Sequence, residues 1–196
     1  MKIDFQLSKK NVDSVFSLLG NKEDDMTYSF GWSLKSSPTL LTVFLKSLGL
    51  PDVILGGSDV LISLQEHKSN TNGFTDIEIT VRGENNQSAH IIIEAKRGWT
   101  DVTQAQVEKY VFASEEDRDY KIVVLLTNYD DKRIKDFGFE KSDVSGDKIT
   151  YVSGESLLDM PEAYYSASIG KREKWVLNSL LKYTKEIVGG LDRTTR

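Results

Sequence analysis

The stretch "HIIIEAKRGWTDVTQAQVEKY", residues 90 to 110, carries Ile91, Ile92 and Ile93 directly into Glu94, Ala95, Lys96 and Arg97. An apolar run without alternation reads as a strand buried on both faces, and therefore central in its sheet. Charges at the end of such a strand cost several kcal/mol unless they are paired with each other, with a metal or with a ligand. Within a strand, residues two apart share a face, so Glu94 and Lys96 point the same way while Ala95 faces the opposite layer.

The elements on either side place this strand. Upstream, "DVLISLQ" (59 to 65) and "FTDIEITVR" (74 to 82) alternate with period two, and Gly56-Gly57 and Asn72-Gly73 supply turn signals. Downstream, "TDVTQAQVEKYVFASEEDR" reads as a helix and "YKIVVLLTN" (120 to 128) as a second central strand. A meander of three strands, a crossover helix and a returning strand make an α/β fold with a mixed β-sheet flanked by helices.

An N-terminal helical segment precedes this core. "SKKNVDSVFSLLG" reads as a helix capped by Ser8 and stopped by Gly20, with Val12, Val15, Phe16 and Leu19 at helical spacing. A second helix starts near Asn21, with Asp24 three residues on, and carries Met26, Phe30 and Leu34 on one face. Ser37-Pro38, a cap followed by a first-turn proline, opens a third that runs to Gly49. After the core, "DKITYVS" reads as a strand, "GESLLDMPEAYY" as a short helix, and "KREKWVLNSLLKYTKEIV" as an amphipathic helix with Trp175, Leu177, Leu180, Leu181 and Ile187 apolar; the last residues read as frayed. The expected organisation is a single domain over residues 1 to 196, with a helical lead-in over about 1–50, a core over about 51–153 and a C-terminal helical segment over about 154–190.

Composition bounds the chemistry. With 39% hydrophobic and 28% charged residues and no apolar run long enough for a bilayer, the chain reads as a soluble protein without a membrane partner. The N-terminus has no secretory pattern, so a cytoplasmic location is expected. No cysteine is present, and only His67 and His90 could offer imidazole, so any metal would be held by oxygen, which favours Mg²⁺ or Mn²⁺. The net charge of −5 does not announce nucleic-acid binding, although "KREK" (171 to 174) and "DKR" (131 to 133) are local basic clusters that read first as solvated surface.

On the strand before "IIIEAK", Asp76, Glu78 and Thr80 share one face and Ile77, Ile79 and Val81 the other. If "RGENNQSAH" joins the two strands as an antiparallel pair, Asp76 lies near the Glu94 to Lys96 end of its neighbour. Two carboxylates can hold Mg²⁺, which polarises a phosphoryl oxygen and acidifies water, while a nearby lysine orients or deprotonates that water. The structural alternative is a cross-strand ion pair between Asp76 and Lys96, with no metal.

At Thr75-Asp76, "IIIEAK" and "QVEKY" the chain resembles the PD-(D/E)XK, or restriction-endonuclease-like, nuclease superfamily: an Asp, a hydrophobic strand ending in Glu-x-Lys, then a helix with a Gln shortly before a Tyr. Thr75 stands where the family has Pro. The resemblance is tightest over residues 74 to 126, and it implies a restriction-endonuclease-like core. It also implies metal ligation by Asp76 and Glu94 with help from the Ala95 carbonyl, and a water-handling role for Lys96. Gln106, or Gln104 in its place, would be the supporting glutamine. An acidic residue from "NKEDD" would complete the site, Glu23 ahead of Asp24 or Asp25. The activity implied is a Mg²⁺- or Mn²⁺-dependent nuclease on DNA in preference to RNA, in a defence, restriction or repair setting. Since one site cuts one strand, double-strand cleavage would call for a homodimer or a second encounter.

A second Glu-x-Lys, Glu66-His67-Lys68, follows a literal Pro51-Asp52. It leads into "SNTNGF", a turn, where the family has a helix, so the Glu94 copy is preferred. Two other functions compete. A catalytically idle member of the same fold could serve as a binding or assembly module. A metal-dependent phosphatase or nucleotide hydrolase would need a His-rich motif or a Gly-rich phosphate loop, and neither is present.

Overall fold

The central apolar strand holds its place in the computed structural model, which describes residues 6–7, 10–11, 14–56, 59–68, 73–83, 86–96, 118–127, 143–144, 147–152 and 169–189. Among the described residues the sheet is six-stranded. Its edge is β3 (Asp59–Lys68), followed by β4 (Gly73–Arg82), β5 (Ser88–Lys96), β6 (Tyr120–Thr127), β8 (Asp147–Val152) and the two-residue β7 (Asp143–Val144) at the far side. The neighbours β3, β4 and β5 are antiparallel, as expected of a meander, whereas β5, β6 and β8 run parallel. The sheet is therefore mixed and the fold is α/β.

Burial explains the two unbroken apolar strands. Ile77, Ile79, Val81, Ala89, Ile91, Ile93, Ala95, Ile122, Val124 and Leu126 join the helices in one core, and Ile92, Val123 and Leu125, which point the other way, are buried as well. Polar residues cannot replace apolar ones on either face without partners, so the strands show no alternation.

The helical layer is built from α1 (Glu23–Ser36), α2 (Pro38–Ser47), the short α3 (Asp52–Leu55) and α4 (Lys171–Gly189). Ser37 caps α2 by accepting the Leu40 N–H at 3.2 Å, and Pro38 occupies the first turn. Phe30 of α1 and Phe44 of α2 meet edge to face at 5.3 Å. At Gly31 a Cβ would come within 2.7 Å of the tip of the Leu64 side chain, which would have to shift to make room. Among the described residues, no helix is long and apolar enough to cross a membrane.

Two sequence expectations change. The first helix is replaced by a small hairpin, β1 (Gln6–Leu7) with β2 (Lys10–Asn11), and a 3₁₀ turn over Val15–Leu18. Ser14 caps that turn, and only Phe16 of Val15, Phe16 and Leu19 is buried, so the apparent apolar stripe has no surface to cover; Ser8 and Val12 lie outside the described residues. Pro51-Asp52, ahead of the second Glu-x-Lys, stands at the start of α3. Trp175 stands 51% exposed on α4, with Val176 and Tyr183 taking core positions beside Leu177, Leu180 and Ile187. The crossover helix with Gln104, Gln106 and Tyr110, and the helix expected over "GESLLDMPEAYY", lie outside the described residues.

Candidate active site

Where β5 runs out, four polar side chains from three elements come together. The β4–β5 ladder pairs Ile77 with Ile93 as its last step, so the register brings Asp76 alongside Glu94. Asp76 does not continue the ladder through its main chain. Its carboxylate Oδ2 accepts the Ala95 N–H at 2.7 Å. The side chain thus satisfies a backbone donor that the strand's end would otherwise leave without a partner.

Glu94 and Lys96 are both buried, and Lys96 Nζ donates to Glu94 Oε1 at 2.6 Å. The second partner of Lys96 comes from the first turn of α1, Glu23 Oε1 at 3.3 Å. The three acidic residues that open α1 divide their tasks. Glu23 reaches Lys96, Asp25 accepts the Lys22 N–H at 2.7 Å, and Asp24 is exposed. All three also suit the positive end of the helix.

The electrostatics are unbalanced at Asp76. Burial, and then the Glu94 charge, raise its carboxyl from 3.8 to about 7, against the opposing Ala95 N–H and Lys96 ammonium. Lys96 moves in the direction of a firmer charge: burial lowers its pKa, but the hydrogen bond and charge of Glu94, with Glu23 behind them, outweigh burial and raise it above 10.5. Glu94 Oε2 is buried and has no hydrogen-bond partner. An unsatisfied buried carboxylate oxygen is costly.

A neighbouring polar group escaped the sequence reading. Thr75 is fully buried and its hydroxyl donates to Glu78 Oε1 at 2.7 Å, while His90 Nε2 lies 3.1 Å from Glu78 Oε2. The signal was the placement of Glu78 and His90 as polar residues between apolar neighbours on β4 and β5. Their diagonal pairing needed the β4–β5 register, Thr80 opposite His90, to be seen.

The second Glu-x-Lys has a different setting. Glu66 and Lys68 belong to edge strand β3, which continues to its end in antiparallel pairing with β4, Glu66 opposite Thr75 and Lys68 opposite Gly73. Among the described residues, no three Asp, Glu, His or Cys side chains gather into a metal-sized group. Protein donors at the β5 end would be two carboxylates and main chain, a set that leaves room for water around a hard cation such as Mg²⁺.

No family model and no curated protein sequence matches the chain. Among solved structures it is similar to one titled MspJI restriction endonuclease in complex with a 27-mer oligonucleotide, with a TM-score of 0.41 and 15% identity over 87% of this chain. The chain spans about a third, 34%, of that protein's length.

Proposed function

We propose that the chain is a metal-dependent nuclease of the PD-(D/E)XK type, with Asp76 and Glu94 as its metal ligands. The observation that carries this reading is Glu94 Oε2, buried without a hydrogen-bond partner next to a second carboxylate whose pKa burial and Glu94 have pushed to about 7. Two carboxylates crowded together in that way favour a cation between them, and the donors are all oxygen. In an extended strand a residue's N–H and C=O project to the same side, so the Ala95 carbonyl would share the side of the N–H that Asp76 accepts and would be the third donor.

A bound Mg²⁺ or Mn²⁺ would supply Lewis acidity toward a phosphoryl oxygen and would acidify the attacking water. The chain's own residues do the rest. Asp76 and Glu94 would hold the cation, and Asp76 is itself held by the Ala95 N–H. Lys96, its pKa raised by Glu94, stays an ammonium at neutral pH and therefore orients water and phosphate by donating, with no free pair to take a proton. Glu23 holds that ammonium from the α1 side. The family resemblance would give the supporting place to Gln106, which lies outside the described residues. The substrate is DNA in preference to RNA.

A second reading has an observation of its own. Lys96 is already paired twice, with Glu94 and with Glu23, so the ions at the β5 end can also serve as a structural cluster in a binding or assembly module. Purified protein incubated with supercoiled plasmid, linear DNA and RNA, in Mg²⁺, in Mn²⁺ and in chelator, separates the two. Nicking that requires the metal and is lost in Glu94→Gln supports the nuclease. Absence of cleavage in every metal supports the module.

A further inference from the structure

We propose that Gln65, on edge strand β3, is a positioning residue for the Asp76 carboxylate and acts through its backbone. Strands β3 and β4 pair on both sides of it, Leu64 with Ile77 and Glu66 with Thr75, without a slip in register, yet Gln65 and Asp76 themselves do not pair. Gln65 has φ 53°, in the left-handed region that non-glycine residues seldom occupy and that interrupts an extended strand. On its other side Asp76 has also left the ladder, since β4 and β5 pair only as far as Ile77 and Ile93. Asp76 is therefore out of line with both neighbours at once, and its side chain takes the Ala95 N–H at 2.7 Å.

Regular strand geometry would forbid that bond. Side chains of a paired strand stand roughly perpendicular to the sheet, whereas the ladder's N–H groups lie in its plane. An extended Gln65 would allow positions 65 and 76 to pair, draw the Asp76 main chain into the plane and swing its carboxylate away from the Ala95 N–H. The Gln65 side chain is exposed, so the contribution lies in its φ. Strain of this kind is retained where the surrounding structure fixes it and a site benefits. The consequence for catalysis rests on the metal-site reading, but the positioning does not.

Amide hydrogen exchange of the metal-free full chain tests it, read at Ala95. A β-branched residue resists positive φ, while Gly and Asn accept it. Gln65→Gly and Gln65→Asn are expected to keep Ala95 exchange within about threefold of wild type, and Gln65→Val to speed it by about tenfold or more, with Ile79 and Ile91 unchanged. Wild-type exchange in a folded Gln65→Val would overturn the proposal, as would equal acceleration in Gln65→Gly, which would assign the effect to the side chain. Gln65→Gly alone gives a second check: its melting temperature should hold or rise because Gly relieves a left-handed position, and a clear fall would also overturn the proposal. If wild type binds no Mn²⁺, the metal-site reading fails, while the exchange result still decides the role of Gln65.

Discussion

Lys96 Nζ lies 2.6 Å from Glu94 Oε1, two residues back on the same strand, and the pair leaves Glu94 Oε2 buried with no hydrogen-bond partner. Glu94→Gln separates charge from shape at that position. As a metal ligand it is expected to lower cleavage by several orders of magnitude, because the metal provides both polarisation and nucleophile. The metal-free fold should lose about 1–3 kcal/mol, since Lys96 keeps Glu23 as a partner. Plasmid nicking and urea unfolding measure the two effects separately.

Asp76 makes stability depend on pH. Its folded-state pKa of about 7 lies above the ordinary 3.8, so between these values the folded protein holds a proton that the unfolded chain has released. Its contribution is most favourable below about pH 4, declines as pH rises toward 7 and levels off above. Metal-free wild type and Asp76→Asn are expected to be similar at about pH 4 and below, with the Asn variant pulling ahead as pH rises from there toward 7. At pH 8 the Asn variant should be the more stable by about 1–3 kcal/mol, a figure discounted for partial exposure. Denaturant melts of both proteins across about pH 4 to 8.5 check the sign.

The two Glu-x-Lys copies should behave oppositely. Glu66→Ala and Lys68→Ala, on the edge strand, are expected to leave cleavage within about twofold, whereas Glu94→Ala and Lys96→Ala abolish it. Essential Glu66 and Lys68 with dispensable Glu94 and Lys96 would move the site to β3.

The helical layer supports the site through apolar packing. Phe44 is fully buried against Phe30, and Phe44→Ala should cost about 3–5 kcal/mol. Trp175 is half exposed, so Trp175→Ala should cost well under half of that, about 1 kcal/mol. Equal losses in thermal or denaturant melts would mean that α4 is packed differently.

Strands β4, β5 and β6 were legible because burial on both faces, or on one, writes itself directly into apolar pattern, and the period of two fixed which residues join Asp76 on its face. The first twenty residues misled for the opposite reason. Val15, Leu18 and Leu19 have helical spacing but remain exposed, and nothing in a local sequence records that no core lies beneath them. At the site, the meeting of Asp76 with Glu94 could be read from register alone. The capture of the Ala95 N–H by Asp76 could not, because it depends on both strands leaving the ladder at one point, and the left-handed Gln65 carries no glycine or asparagine to announce it. Glu23 was preferred among three acidic residues from the sequence, but the reason it and not Asp25 reaches Lys96, the cap that Asp25 makes to the Lys22 N–H, needed the structure.

Thermal melts with and without Mn²⁺, on wild type, Asp76→Asn and Glu94→Gln at pH 7.5 or near it, address the metal directly. If Asp76 and Glu94 hold the cation, Mn²⁺ raises the wild-type melting temperature in a concentration-dependent way, and both substitutions remove the response. Metal-free Asp76→Asn is then at least as stable as wild type, since a crowded carboxylate has been neutralised. A wild-type melting temperature indifferent to Mn²⁺, with Asp76→Asn clearly destabilised, would contradict the metal site and leave the charges at the end of "IIIEAK" as a structural cluster.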